Sequence, residues 1–155
     1  MGSAVILIPG TRGLKELLKT TLGPSAWYVV TQKTINEFAT ITNDHHWVHV
    51  DVDRAKHSPI GTTIAHGLFT LSLEPKFSNE LYEITDISYS LDYGYRKIRF
   101  PSPVPVGSRI RMSALIEEVT DIPNGSRCIV VNTFELEGSH KPACVAELIL
   151  HIVDK

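Results

Sequence analysis

The residue types best suited to chemistry lie between positions 38 and 73, where an aspartate precedes a histidine by five residues. Asp44 and His49 form this pair. A carboxylate and an imidazole that share one water molecule can remove a proton from it and return a proton elsewhere. Histidine suits this task because its unperturbed pKa is near neutrality. From residue types alone, the alternative is an aspartate that braces a loop, with His49 exposed on a strand.

A glycine at the start of a predicted helix is the second chemical feature. The triplet Ala65-His66-Gly67 precedes the apolar run LFTLSL. The first N–H groups of a helix have no partner within it and carry the positive end of its dipole. Such groups can stabilise an oxygen that gains negative charge, which is an oxyanion hole. The alternative is that Gly67 only permits close packing of the helix on a sheet.

The histidines also allow a metal hypothesis. His45, His46 and His49, with Asp51 and Asp53, are numerous enough to bind zinc. Adjacent residues on an extended chain point to opposite sides, however, and the sequence contains no HExxH motif. We therefore expect neither a metal nor a cofactor.

Composition excludes several classes of protein. A chain of 155 residues fits one domain, so residues 1–155 are predicted to form a single domain, with 1–23 as a peripheral N-terminal segment. The net charge of -2 argues against nucleic acid as the main partner. No apolar run has the ~18–20 residues needed to cross a bilayer. Cys128 and Cys144 lack CxxC spacing, which predicts buried, reduced thiols in a cytoplasmic protein.

The first half of the chain must supply the helices that position the chemical residues. Thr31 is a predicted N-cap of a helix that ends near Asn43. Residues 48–53 alternate in polarity, which indicates a short strand or an extended loop. Residues 62–82 have helical apolar spacing, and Pro75 is expected to kink or divide that helix.

The second half predicts strands. Residues 87–100 form a long, tyrosine-rich strand, with a bulge or a close-approach point expected at Gly94. Apolar residues alternate from Ile110 onward, and Asn124-Gly125 predicts a hairpin. A chain whose first half forms helices and whose second half forms an antiparallel meander is typical of an α+β domain. The exposed edges of such a sheet favour dimerisation by edge pairing.

Two parts of the sequence together resemble a known family. FATITNDHHWVHVD followed by IGTTIAHGLFTLSL resembles the MaoC-like (R)-specific enoyl-CoA hydratases, and YGYRKIRFPSPVPVGSRIR resembles their NodN-like branch. The resemblance implies a hotdog fold, in which an antiparallel sheet wraps around a long central helix, and a homodimer. It also implies reversible syn addition of water to trans-2-enoyl-CoA, giving (R)-3-hydroxyacyl-CoA without metal or redox cofactor, within fatty acid metabolism.

The resemblance also implies roles for individual residues. Asp44 and His49 hold the catalytic water, and Ser72 supports the aspartate by a hydrogen bond. Gly67 supplies a backbone donor to the thioester carbonyl. The residues expected to contact the acyl-CoA substrate are Ala65, His66 and Arg99.

One departure from the family motif leaves the substrate range open. Where the family usually has Asn-Pro, this chain has His46-Trp47, so a side chain that commonly orients the site is missing. The alternatives are a dehydratase acting on 3-hydroxyacyl groups of acyl-carrier protein, a thioesterase of the hotdog superfamily, and a non-catalytic acyl-CoA-binding module.

Overall fold

The structure, a computed structural model, describes residues 4–155 and contains six helices and eight strands within that range. The helices are α1 (Gly10–Glu16), α2 (Gln32–Thr42), α3 (Trp47–Val50), α4 (Val52–Lys56), α5 (Gly67–Ser72) and α6 (Glu74–Leu81). The strands are β1 (Ile6–Pro9), β2 (Thr21–Leu22), β3 (Tyr28–Val29), β4 (Tyr82–Thr85), β5 (Ile87–Arg99), β6 (Arg109–Ile122), β7 (Gly125–Leu136) and β8 (Cys144–Asp154).

Alternating side chains build the main sheet. Its strands follow the order β2-β6-β7-β8-β5, all pairs are antiparallel, and β3 also pairs with β6. On β6, Ile110, Met112 and Ile116 are fully buried, whereas their neighbours are more exposed. One buried face and one exposed face are what strict alternation predicts. The predicted α+β class with an antiparallel sheet is confirmed.

The predicted hairpin at Asn124-Gly125 joins β6 to β7. Asn124 has φ of 64°, the left-handed conformation that such turns require. A Cβ atom at position 125 would lie 1.9 Å from the carbonyl oxygen of Ile152, so only glycine fits there. The predicted bulge is also confirmed, because the register of β5 against β8 shifts between Asp92 and Gly94.

The helix predicted over residues 62–82 begins later, at Gly67, and is divided near Pro75 as expected. The chain is extended as far as His66, α5 begins at Gly67, and a new helix, α6, begins at Glu74. Pro75 lacks an N–H group and is tolerated in the first turn of a helix, which explains the break at Leu73. The central helix is therefore two short helices in succession.

The prediction of extended chain over residues 48–53 is wrong. Two short helices, α3 and α4, occupy this segment. The Asp51 carboxylate accepts a hydrogen bond from the Arg54 N–H at 2.9 Å, which caps α4. This local capping decides the conformation, and the alternation of valines with polar residues was misleading.

The N-terminal segment contributes to the core. Ile8 and Leu14 are fully buried, and Leu22 is nearly so, although residues 1–23 were expected at the periphery. Positions 1–3 lie outside the described residues. Cys128 and Cys144 are buried and unpaired, as predicted, and the cellular compartment stays a prediction. Among residues 4–155, no helix combines the length and apolar character that crossing a bilayer requires.

One ionisable side chain is buried where the helices meet the sheet. Glu74 is only 5% exposed, and its Oε1 accepts a long hydrogen bond of 3.3 Å from Asn132 Nδ2. Burial, with a smaller contribution from the charge of Asp92, raises the pKa of Glu74 to about 7. The carboxylate form therefore destabilises the fold at neutral pH.

We predict that Glu74→Gln raises the free energy of unfolding at pH 8, and that the increase is much smaller at pH 5. Because the folded-state pKa lies above the unfolded value of 4.5, the stability provided by the protonated form is complete below pH 4.5 and is lost as pH rises through about 7. Such a shift corresponds to roughly 3 kcal/mol at most. Urea unfolding at both pH values and one protein concentration measures the difference.

The matched control is Glu83→Gln, which neutralises an exposed carboxylate on β4. This variant should show no pH-dependent gain. Equal unfolding free energies for the wild type and Glu74→Gln at pH 8 would contradict the prediction.

Candidate active site

Asp44 is placed by the end of α2. Thr31 caps the start of this helix by accepting a hydrogen bond from the Thr34 N–H, as predicted. Asn43 ends it in the left-handed conformation, with φ of 56°. The Asp44 N–H then donates to the Ala39 carbonyl at 3.1 Å, which reverses the chain. The Asp44 carboxylate is left about half exposed, at 54%.

His49 presents a free ring nitrogen. Its Nδ1 lies 2.7 Å from the carbonyl oxygen of Ile64, which can only accept, so Nδ1 carries the proton and Nε2 keeps its lone pair. The ring is half-buried. Burial lowers the pKa of His49 below 6.5, a hydrogen bond to Ile64 opposes this, and the neighbouring His66 lowers it further. The imidazole is therefore neutral, and able to act as a base, at pH 7.

His66 connects the two candidate catalytic residues. It is 4% exposed, and its Nε2 donates to the Asp44 carbonyl oxygen at 3.0 Å. Its ring stacks on the His49 ring with centroids 3.7 Å apart and planes at 25°. The His66 Nδ1 is buried without a hydrogen-bond partner among the described residues. Because a carbonyl oxygen can only accept, Nε2 carries a proton.

The sequence did not predict the positioning role of Gln32. Gln32 Nε2 donates to the His49 carbonyl at 2.7 Å, and Gln32 Oε1 accepts from the Thr63 hydroxyl at 2.5 Å. Gln32 thus ties the start of α2 to both chain segments that form the site. Its partners lie 17 and 31 residues away, so no local pattern indicates the role.

The site suits a water molecule better than a metal. Ligand atoms of Asp44, His49 and His66 lie within 4.8 Å of one another. A water with hydrogen bonds of about 2.8 Å to two such atoms fits that spacing. A metal ion must lie in the plane of each imidazole, and two stacked, nearly parallel rings do not allow this. The zinc ligands considered from the sequence included His45. Its side chain is exposed and lies outside the group formed by Asp44, His49 and His66.

Gly67 lies beside this group at the first position of α5. A Cβ atom there would approach the Phe100 ring to 3.0 Å, so the glycine permits close contact between α5 and the end of β5. His66 precedes it with an extended backbone, φ of -61° and ψ of 140°. The first N–H groups of α5 have no hydrogen-bond partner within the helix.

The other predicted residues occupy different positions. The Ser72 hydroxyl donates to the Phe69 carbonyl at 2.8 Å, so the expected hydrogen bond to Asp44 is not formed in this structure. Ala65 is buried, and its N–H donates to the Val104 carbonyl at 2.8 Å. The remaining positions, His46 and Arg99, are exposed.

The chain is similar to known proteins over most of its length. A family profile described as MaoC like domain matches residues 14–137. The 3-hydroxyacyl-thioester dehydratase Z of Mycobacterium tuberculosis (strain CDC 1551 / Oshkosh) is 47% identical over 133 residues, covering 85% of this chain and 88% of that protein. Nodulation protein N of Rhizobium leguminosarum bv. viciae is 39% identical over 133 residues, covering 83% and 81% respectively.

Solved structures support the fold. The unliganded R-hydratase PhaJ1 from Pseudomonas aeruginosa superposes with a TM-score of 0.75 at 19% identity, covering 99% of this chain and 90% of that one. This similarity confirms the predicted hotdog fold. The family profile and the dehydratase relative confirm the predicted family and enzyme class. The chain therefore belongs to the MaoC-like domain family and is a hydro-lyase.

Proposed function

We propose that this protein is an (R)-specific enoyl-CoA hydratase that adds water reversibly and syn to trans-2-enoyl-CoA. The observation that carries the proposal is the free Nε2 of a neutral His49 beside the Asp44 carboxylate, with the N-terminus of α5 adjacent. The dehydratase relative is named for a 3-hydroxyacyl thioester, and dehydration of that compound is the reverse of enoyl hydration. The (R) configuration rests on the resemblance to the (R)-specific hydratases.

In the first step, Asp44 and His49 orient one water by hydrogen bonds. The His49 Nε2 lone pair accepts a proton as the water oxygen forms a bond to C3 of the enoyl thioester. Electrons of the C2–C3 double bond move towards the thioester, whose carbonyl oxygen becomes an enolate. The Ile64 carbonyl, which holds Nδ1–H, and the Asp44 carboxylate stabilise the resulting imidazolium.

In the second step, the enolate collapses. The Gly67 N–H at the start of α5 donates to the enolate oxygen, where charge is greatest in the transition state. His49 then returns its proton to C2, and the thioester carbonyl re-forms. Because one base takes the proton and returns it from the same side, water adds syn.

The CoA part of the substrate is proposed to meet Arg99. This arginine is the last residue of β5, and the next residue, Phe100, packs against Gly67. The Arg99 guanidinium donates to the Ile98 carbonyl at 2.9 Å and has no carboxylate partner among residues 4–155. It is therefore available to bind phosphate near the mouth of the site.

The homodimer is proposed to form through β5. This strand of 13 residues pairs only with β8 among the described residues, so its other edge carries unpaired backbone groups. Tyr89, Leu91 and Tyr93 on this strand are more than half exposed. Long, exposed edges of this kind are usually paired or covered. An antiparallel contact between two copies of β5 would satisfy both edges.

The reaction is tested by the loss of enoyl absorbance of crotonyl-CoA, with the (R) and (S) products resolved. A carrier-protein dehydratase prefers the carrier-bound substrate, a thioesterase releases free thiol, and a binding module leaves the absorbance unchanged.

We predict that Asp44→Asn and His49→Gln each lower kcat/KM for crotonyl-CoA by roughly 10²–10⁴-fold, because each removes a group that handles the proton of the water. The control variants are His45→Gln and Asp53→Asn, which alter exposed residues of the same segment. Circular dichroism checks that all four variants fold. A wild-type rate in either Asp44→Asn or His49→Gln would rule out the assignment.

A proline at position 67 tests the backbone donor. Proline at the first position of a helix removes the N–H without breaking the helix, and the extended His66 tolerates a following proline. Gly67→Pro should lower kcat by roughly 10²–10³-fold, the cost of losing one oxyanion donor. Gly67→Ala adds a Cβ against Phe100 but keeps the N–H, and is expected to lose far less. Equal losses in the two variants would show that only steric contact matters.

We predict that His66→Phe lowers kcat/KM by roughly fivefold to tenfold, the equivalent of one hydrogen bond of about 1 kcal/mol. The phenyl ring keeps the burial that mainly lowers the pKa of His49, but the contribution of His66 is lost, so the acid limb of the pH profile should move to higher pH. His66→Gln keeps a donor for the Asp44 carbonyl without the stacked ring. Rates between pH 5 and 9 measure both effects, and an unchanged profile in His66→Phe would contradict the prediction.

A further inference from the structure

A groove runs along α5 and α6, with one end near the candidate site. It begins beside Phe38, whose ring lies 5.0 Å from the His66 ring, and beside Leu68, which follows Gly67. Its first section has a volume of about 450 Å³, and a second section of about 500 Å³ continues towards β1 and β4. The residues that line both sections are Glu74, Pro75 and Asp92. The two sections therefore meet at a pair of acidic side chains.

Apolar side chains line part of the groove on either side of this junction. Phe38, Leu68 and Leu71 line the first section, and Ile84 and Ile87 line the second. A groove with this lining suits an acyl chain. The acidic pair interrupts it.

The hydrogen bonding of Glu74 is incomplete. Its hydrogen bond from Asn132 is long, at 3.3 Å, and Ser78 is the other side chain that donates towards it. The Asn132 Oδ1 is buried without a partner among the described residues. Asn132 Oδ1 and the Glu74 carboxylate can both accept further hydrogen bonds. A buried acceptor that no donor reaches destabilises the state that contains it.

We propose that Glu74, together with Asp92, makes this groove selective for acyl groups that carry a hydroxyl in the tail. The proposal rests on the proposed function, since the groove holds an acyl tail only if the thioester binds at the adjacent site. A hydroxyl in the acyl tail donates a hydrogen bond to a carboxylate at the junction, and the apolar carbons of the tail still contact Leu68 and Leu71. A plain alkyl tail removes water from both acids and returns no donor.

The position of the hydroxyl follows from the length of the helices. Seven residues separate Gly67 from Glu74, which corresponds to about 10 Å along the helix axis, or about six to eight carbons of an extended chain. Hydroxyl groups near the end of a six- or eight-carbon acyl chain are therefore the suitable probes.

The test is a binding measurement with saturated thioesters, which cannot react. The dissociation constants of hexanoyl-CoA and octanoyl-CoA are compared by calorimetry with those of 6-hydroxyhexanoyl-CoA and 8-hydroxyoctanoyl-CoA. In the wild type, at least one hydroxylated ligand should bind tenfold or more tightly than its plain counterpart. Glu74→Leu should reverse this ratio, Glu74→Gln should keep part of it, and Glu83→Gln, an exposed change beside the second section, should leave it unchanged.

Tighter binding of the plain chains by the wild type would overturn the proposal, and so would a hydroxyl preference that survives in Glu74→Leu. Hydration of crotonyl-CoA is assayed separately. A protein that fails to hydrate crotonyl-CoA but shows the expected ratio of dissociation constants would refute the proposed reaction and leave the selectivity of the groove supported.

Discussion

The hydrogen bond from the buried His66 ring to the Asp44 carbonyl is the contact on which the geometry of the site depends. The same ring stacks on His49, so one side chain orients both the acid and the base. Its own position is set by main-chain hydrogen bonds, because Ile64 N–H donates to the carbonyl of residue 48 and Ala65 N–H donates to that of residue 104. Three distant segments therefore meet at His66, and a shift of any one of them moves the catalytic pair.

The buried polar groups concentrate where function is expected. Within the described residues, the buried side-chain atoms without a partner are His66 Nδ1, under the catalytic pair, and Asn132 Oδ1, under the groove. Glu74 adds a carboxyl group whose pKa burial raises to about 7. A core built only for stability would replace such groups by apolar side chains. They lie next to the candidate site and the groove, where the proposed reaction and the proposed selectivity require polar groups.

The sequence predicted the parts of the fold that local rules decide. The strands were predictable because alternating apolar residues place one face of each strand in the core. The N-cap role of Thr31 was predictable because a cap is recognised from adjacent residues. Residues 48–53 were mispredicted because alternation imitated a strand while Asp51 capped a helix. The positioning roles of Gln32 and His66 were invisible, since their partners lie between 17 and 31 residues away. Side chains that orient others through long-range contacts leave no local pattern.

The same long-range contacts explain why the site tolerates His46 where the family usually has asparagine. The His46 ring is exposed, has no hydrogen bond among the described residues, and lies 6.3 Å from the His49 ring. Its main-chain N–H, which any residue other than proline provides, lies 3.4 Å from Asp44 Oδ1. Asp44 and His49 are oriented instead by His66 and by the main chain. Because these contacts do not involve the side chain at position 46, the orientation of Asp44 and His49 does not depend on that side chain.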